Sequence, residues 1–126
     1  MSYAYYPGCS LKGSANPYEE SLLAVCERLG IGLDELDDWN CCGATAYWAV
    51  DQMKAFAMTV RNLALAEAAE RDSPQVDLMA PCGGCYMMLL KSQRYLKEHQ
   101  SVADTVEDAL EAAGLHYDGR VRVRHP

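Results

Sequence analysis

The chain predicts an α/β domain, a small, mostly parallel sheet flanked by helices with cysteine turns at the strand C-terminal ends. Three observations predict it. Short β-prone segments alternate with longer helical patterns, the order that builds βαβ units. The first three strand candidates each run into a turn that holds cysteine and glycine. The length of 126 residues suits one domain with a hydrophobic core of its own.

The elements follow in order. Tyr3-Ala-Tyr-Tyr6 is short, aromatic and closed by Pro7-Gly8, so it reads as a strand and a turn. Asn16 reads as an N-cap with Pro17 at the first helical position and Glu19 and Glu20 in the first turn. That helix shows Leu22, Leu23, Cys26 and Leu29 as its apolar face and stops at Gly30. Leu33 to Trp39 is a second strand. From Thr45 to about Arg71 the pattern is helical, with a break near Asp51. Ser73-Pro74 is a loop, and 76–80 is a third strand. Pro81-Cys-Gly-Gly-Cys85 is a turn opening a helix over Tyr86–His99. Ser101 caps a further helix, Val102–Ala113, ended by Gly114. Residues 120–125 alternate polar and apolar as a final strand. That strand ends the chain as a simple sheet edge or as the seam to a further module.

Composition narrows the function classes. Half the residues are apolar and 23% are charged, which is ordinary for a globular protein. A net charge of −7 lacks the basic footprint of a nucleic-acid surface. No apolar run approaches the roughly 18 residues of a membrane span. The first residues, Met-Ser-Tyr-Ala-Tyr-Tyr-Pro, have neither the basic nor the long apolar region of a signal peptide. The expected location is therefore the cytoplasm, where clustered cysteines serve metals or catalysis rather than disulfides.

Five cysteines fall at three strand ends: Cys9 after the first, Cys41 and Cys42 after the second, Cys82 and Cys85 after the third. Parallel topology puts those ends on one sheet edge, beside the crevice where α/β proteins bind ligands. Adjacent Cys41 and Cys42 suit a disulfide poorly, because bridge geometry wants well-separated α-carbons. The glycines at 8, 43, 83 and 84 leave room for close backbone approach to a bulky group. Helix N-termini after the last two groups favour negative charge, so they should lower thiol pKa.

Three readings of these thiols compete. A structural zinc site needs four ligands, and five are on offer with only one CxxC pair. A CxxC dithiol at Cys82 and Cys85 leaves Cys9, Cys41 and Cys42 unexplained. An iron–sulfur cluster, several ångströms across, offers the diverging side chains of Cys41 and Cys42 separate irons. Cys26 lies outside the pattern and reads as a small core residue.

The pattern Cys9…Cys41-Cys42-Gly43…Cys82-x-x-Cys85, with "YYPGCS" and "DWNCCGA" around it, resembles the cysteine-rich CCG domain of the B-type heterodisulfide reductase subunits and their relatives. The likeness runs over essentially the whole chain. It implies a noncubane [4Fe-4S] cluster bound by Cys9, Cys41, Cys42, Cys82 and Cys85. It implies an oxidoreductase that reduces a disulfide or passes electrons. Its implied partners are the iron–sulfur (C-type) and flavin (A-type) subunits of a heterodisulfide-reductase-like complex. It also implies that residues 1–126 are the first of two such domains. The rival from another class is a structural zinc-binding or partner-docking module without redox activity.

Other residues weigh less. Trp39, Trp48 and Tyr86 flank the cysteine turns and read first as core, second as shields of a cluster. Lys12 is a loop lysine that could draw an anionic substrate but reads better as solvated. His99, His116 and His125 lack ligand spacing, and Met87-Met88 reads as helix packing.

Overall fold

Four strands, β1 (Ser2–Tyr5), β2 (Gly32–Glu35), β3 (Val76–Met79) and β4 (Val121–Arg124), form one sheet in the order β2-β1-β3-β4. Every pairing is parallel. The computed structural model describes residues 1–44 and 46–126, with the backbone alone for Ala46. Among the described residues six helices connect the strands: α1 (Gly8–Leu11), α2 (Asn16–Leu29), α3 (Ala46–Val50), α4 (Gln52–Ala69), α5 (Gly83–Glu98) and α6 (Gln100–Ala112).

Two-residue alternation along the strands sorts their side chains into two layers. Ala4, Tyr6, Val76, Leu78, Ala80, Val121 and Val123 join the larger core beneath α4, α5 and α6. Tyr5 and Met79 point the other way and meet Leu22 and Cys26 of α2. The chain steps from β1 outward to β2 through α2, then crosses back over β1 to β3 through α4. Right-handed crossovers in opposite directions place those helices on opposite faces. The reversal leaves a crevice at the C-terminal ends of β1 and β3.

Local chemistry explains most boundaries. Asp51 leaves helical geometry (φ −154°, ψ 99°), and its side chain accepts the Lys54 N–H at 3.1 Å. The expected break at Asp51 is thus an N-cap starting α4. Gly30 closes α2 in the left-handed region, φ +71°. Glu67 of α4 is 2% exposed and accepts the backbone N–H groups of Asp118, at 2.6 Å, and Arg120. That carboxylate gathers the loop feeding β4.

Several expectations need correction. The second strand stops at Glu35 rather than Trp39, because Leu36 to Ala44 turns away to carry the double cysteine. Asn16 is itself helical and Ala15 is the N-cap; the Asn16 side chain instead reaches the Leu11 carbonyl at 3.4 Å. On α2 only Leu22 and Cys26 of the expected face are buried, while Leu23 and Leu29 are exposed. His99, not Ser101, is the N-cap of α6. The helix after the third strand begins at Gly83, so Cys85 lies inside its first turn. Thr45, the expected start of the long helical stretch, lies outside the described residues.

Candidate metal centre

The three cysteine turns meet at the crevice between β1 and β3. Just past β1, Gly8 takes φ +78° and begins α1, which carries Cys9 to the surface. Past β3, Cys82 is the N-cap of α5, and Cys85 is buried one turn in. Tyr86 N–H donates to the Cys82 carbonyl at 2.8 Å and closes that turn. The loop after β2 brings Cys41, half-buried, and Cys42, 3% exposed.

The double-cysteine loop is held by side chains, because it has no strand or helix of its own. Asn62 of α4 accepts the Asn40 N–H at 3.0 Å and donates to the Asn40 carbonyl at 2.9 Å. Tyr6, wholly buried, donates to that same carbonyl at 2.7 Å. Arg61 donates to the Asp38 carbonyl at 2.7 Å and to Asn40 Oδ1 at 2.8 Å. The Thr59 hydroxyl bonds the Cys42 carbonyl.

The thiols form a connected chain. Cys41 is perturbed by Cys9 and Cys42, Cys42 by Cys41 and Cys85, and Cys85 by Cys42 and Cys82, so each thiol neighbours the next. All five expected cysteines therefore come to one place. Cys26 stands apart, on the opposite sheet face with Tyr5, Leu22 and Met79. A Cβ built on Gly8 would lie 2.7 Å from Cys85 Sγ and 3.8 Å from Cys82 Cβ. The backbone of the first turn thus presses against the sulfurs of the third.

Electrostatics across the chain of thiols is uneven. The hydrogen bond from Cys85 holds Cys42 down to about 6, helped by the Ala44 N–H and opposed by burial. Cys85 is pushed up by that same bond and by burial. Burial, foremost, also raises Cys41. The expected lowering thus holds at Cys42 and is reversed at Cys41 and Cys85, where burial and neighbouring sulfurs raise the thiol. Tyr6 is raised by burial and then by the nearby thiols, so its phenol stays protonated beneath them.

The flanking residues mostly turn out structural. Trp39, Trp48 and Tyr86 pack half-buried against the main core. Trp39 meets the Tyr6 ring edge-on at 5.5 Å, and Trp48 meets Phe56 at 5.0 Å. Lys12 is exposed, as expected, but it is not free, because it bridges Glu19 and Glu35, each at 2.8 Å. Met88 is buried, but Met87 is 62% exposed. His99, His116 and His125 are all exposed. The sequence reading missed Asn62 and Thr59. The available signal was their place on a helical stripe with Ala55 and Ala66, all buried.

The donor set is all sulfur, which suits soft metals. Among the described residues, no group of three or more His, Cys, Asp or Glu side chains is arranged to hold a metal ion. The sulfurs instead lie as successive neighbours along the crevice. That arrangement, with a glycine pressed against it, fits a group wider than one ion.

Comparison with known proteins agrees on the architecture and on the motif. The chain is 31% identical over 121 residues to the membrane anchor of the 8-methylmenaquinol:fumarate reductase of Wolinella succinogenes, covering 96% of this chain and 40% of that one. It is 29% identical over 126 residues to a protein of Archaeoglobus profundus that is like the B-type heterodisulfide reductase subunits, covering 99% of this chain and 40% of that one. It is 26% identical over 119 residues to the B-type polypeptide of the ferredoxin:CoB-CoM heterodisulfide reductase of Methanosarcina mazei, covering 94% and 38%. The chain thus spans about two-fifths of the length of these relatives. A crystal structure of a hypothetical protein from Helicobacter pylori shares the fold, with a TM-score of 0.76 at 17% identity, over 97% of this chain and 24% of that one. The model of the CCG cysteine-rich domain matches residues 3–90, which hold all five clustered cysteines. The chain belongs to the CCG cysteine-rich domain family.

Proposed function

We propose that this domain is the iron–sulfur module of an oxidoreductase, and that Cys9, Cys41, Cys42, Cys82 and Cys85 hold a noncubane [4Fe-4S] cluster. The observation that carries the reading is the gathering of the five cysteines at the strand ends, where each thiol perturbs its neighbour and Gly8 lies against Cys85 and Cys82. The relatives are oxidoreductase subunits, and their names join two chemistries, disulfide reduction and fumarate reduction. Electron transfer is what those chemistries share.

A cluster bound there supplies one-electron transfer. The chain's own residues do the rest. The five thiols ligate as thiolates, and Cys42 is the one already favoured in that form. Tyr6 closes the floor and stays neutral, so it adds no negative charge beneath the sulfurs. Trp39, Trp48 and Tyr86 narrow the access of water. Exposed Cys9 marks the open side, where a substrate or partner would arrive. Disulfide reduction consumes two electrons and two protons and yields two thiols. The electrons would come from partner polypeptides, one carrying iron–sulfur centres and one carrying flavin. The domain is the first of two in the working polypeptide. No helix among the described residues is long and apolar enough to cross a membrane.

The second reading is a relay that passes electrons without touching a disulfide, as the fumarate-reductase relative favours. Anaerobic purification tests the shared core of both. The expected product is brown, with about four irons and four sulfides per chain. Each Cys→Ser change in the five lowers iron, and Cys26→Ser does not. A colourless zinc protein, or iron retained in all five variants, overturns the proposal.

A further inference from the structure

We propose that Asn62 is the positioning residue of the double-cysteine turn, holding Cys41 and Cys42 in place before any metal arrives. The proposal rests on reading those two cysteines as ligands. Asn62 is fully buried on the α4 face that packs under the sheet, between Phe56, Val60 and Leu63. An apolar side chain would fill that place at no polar cost. A buried amide is tolerated only when its hydrogen bonds are made. Asn62 spends its shorter bonds on one residue: Oδ1 takes the Asn40 N–H at 3.0 Å and Nδ2 gives to the Asn40 carbonyl at 2.9 Å, with a longer bond of 3.5 Å to the Met58 carbonyl of its own helix.

The partner explains the need. Asn40 immediately precedes Cys41, in a loop without strand or helix pairing. Its backbone is satisfied by side chains alone, from Asn62 and Tyr6. The peptide units on both sides of Asn40 are fixed, so the direction in which Cys41 leaves the loop is fixed with them. Arg61 and Thr59 hold the carbonyls two residues to either side, at Asp38 and Cys42. Of these clamps only Asn62 grips donor and acceptor of one residue, which defines orientation as well as distance. A group behind a metal ligand does the same work in known sites, and its loss costs about 10- to 100-fold in metal affinity.

The test uses metal-free protein and two readouts. Alkylation by N-ethylmaleimide is followed cysteine by cysteine by mass spectrometry, and Cd2+ binding is followed by its thiolate charge-transfer band. Cys26, buried on the other sheet face, reports global opening within the same molecule. In Asn62→Leu, the Cys42 alkylation rate should rise about tenfold while Cys26 stays at the wild-type rate. Half-saturation with Cd2+ should need at least about tenfold more metal. Asn62→Asp keeps the shape and the acceptor but turns an oxygen towards the Asn40 carbonyl, and should show the same selective exposure if the leucine variant does not fold. Glu67→Gln, which loosens the chain at the opposite sheet edge, should raise both cysteines together or neither. Equal rises at Cys42 and Cys26 in the Asn62 variants, or unchanged Cys42, overturn the proposal. Wild-type protein that takes up no Cd2+ would count against the ligand reading, while the alkylation pattern still decides the role of Asn62.

Discussion

Gly8 and Cys85 lie against each other across the β1–β3 crevice, so closely that a Cβ on Gly8 would fall 2.7 Å from the Cys85 sulfur. Gly8 also sits at φ +78°. Two independent constraints thus exclude a side chain there. One is backbone strain and the other is the sulfur itself. Gly8→Ala should cost about 1–2 kcal/mol from the left-handed backbone alone. It should also lower iron content, because Cys85 must move to make room. Urea denaturation and iron analysis on the same preparation read both effects. A variant with wild-type iron would mean that the contact has no bearing on the site.

Cys26 and Cys42 are both nearly buried, yet they belong to different layers. Cys26→Ala should cost about 1 kcal/mol and leave iron unchanged. Cys42→Ala should lose iron. A fall in iron on changing Cys26 would break the separation between core thiol and site thiol.

Glu67 is a stability prediction remote from the cysteines. Its carboxylate takes two backbone N–H groups from the loop entering β4. Glu67→Ala strands both donors and should cost about 3 kcal/mol. The urea midpoint at neutral pH measures it, and a loss under about 1 kcal/mol would show that water replaces the carboxylate.

The β3–β4 pair carries a pH dependence. Asp77 meets Arg122 at 2.7 Å and Arg124 at 3.3 Å, and the Arg122 hydrogen bond, foremost, holds its carboxyl below the ordinary value of 3.8. A depressed folded pKa stabilises fully above the ordinary value, and that stabilisation fades as pH falls through the folded one. Asp77→Asn should therefore be less stable than wild type at pH 7. The two should converge in acid, below the folded pKa. A stability gap that persists unchanged in strong acid would assign the effect to packing.

Ser92 on α5 is wholly buried, and its hydroxyl finds no partner among the described residues. Removing an unpaired buried hydroxyl relieves its desolvation cost. Ser92→Ala should raise stability by up to about 1 kcal/mol. Thermal unfolding of the two proteins decides it, and a lower midpoint would reveal a bond made by the hydroxyl.

Much of this was legible in the residues. Alternating strands and helices sufficed for a parallel sheet, because βαβ connection leaves few other topologies. Asp51 announced a break because a short carboxylate caps better than it continues a helix. Pairing of Leu23 and Leu29 with the core was misread, since helical spacing names a face but not the area of sheet available to cover it. The ion pairs of Lys12 were not legible for a similar reason. Its carboxylate partners stand 7 and 23 residues away, and no local pattern joins them.

By itself the sequence determined the cysteine spacing, the strand–helix alternation and hence a common edge for three turns, because these follow from chain order and local conformational preference. Only the tertiary structure decided which thiol is acidic, that Gly8 must yield to a sulfur, and that Asn62 holds the double-cysteine loop. Those facts depend on contacts between elements tens of residues apart, where burial and hydrogen-bond partners are set by packing rather than by neighbours in the chain.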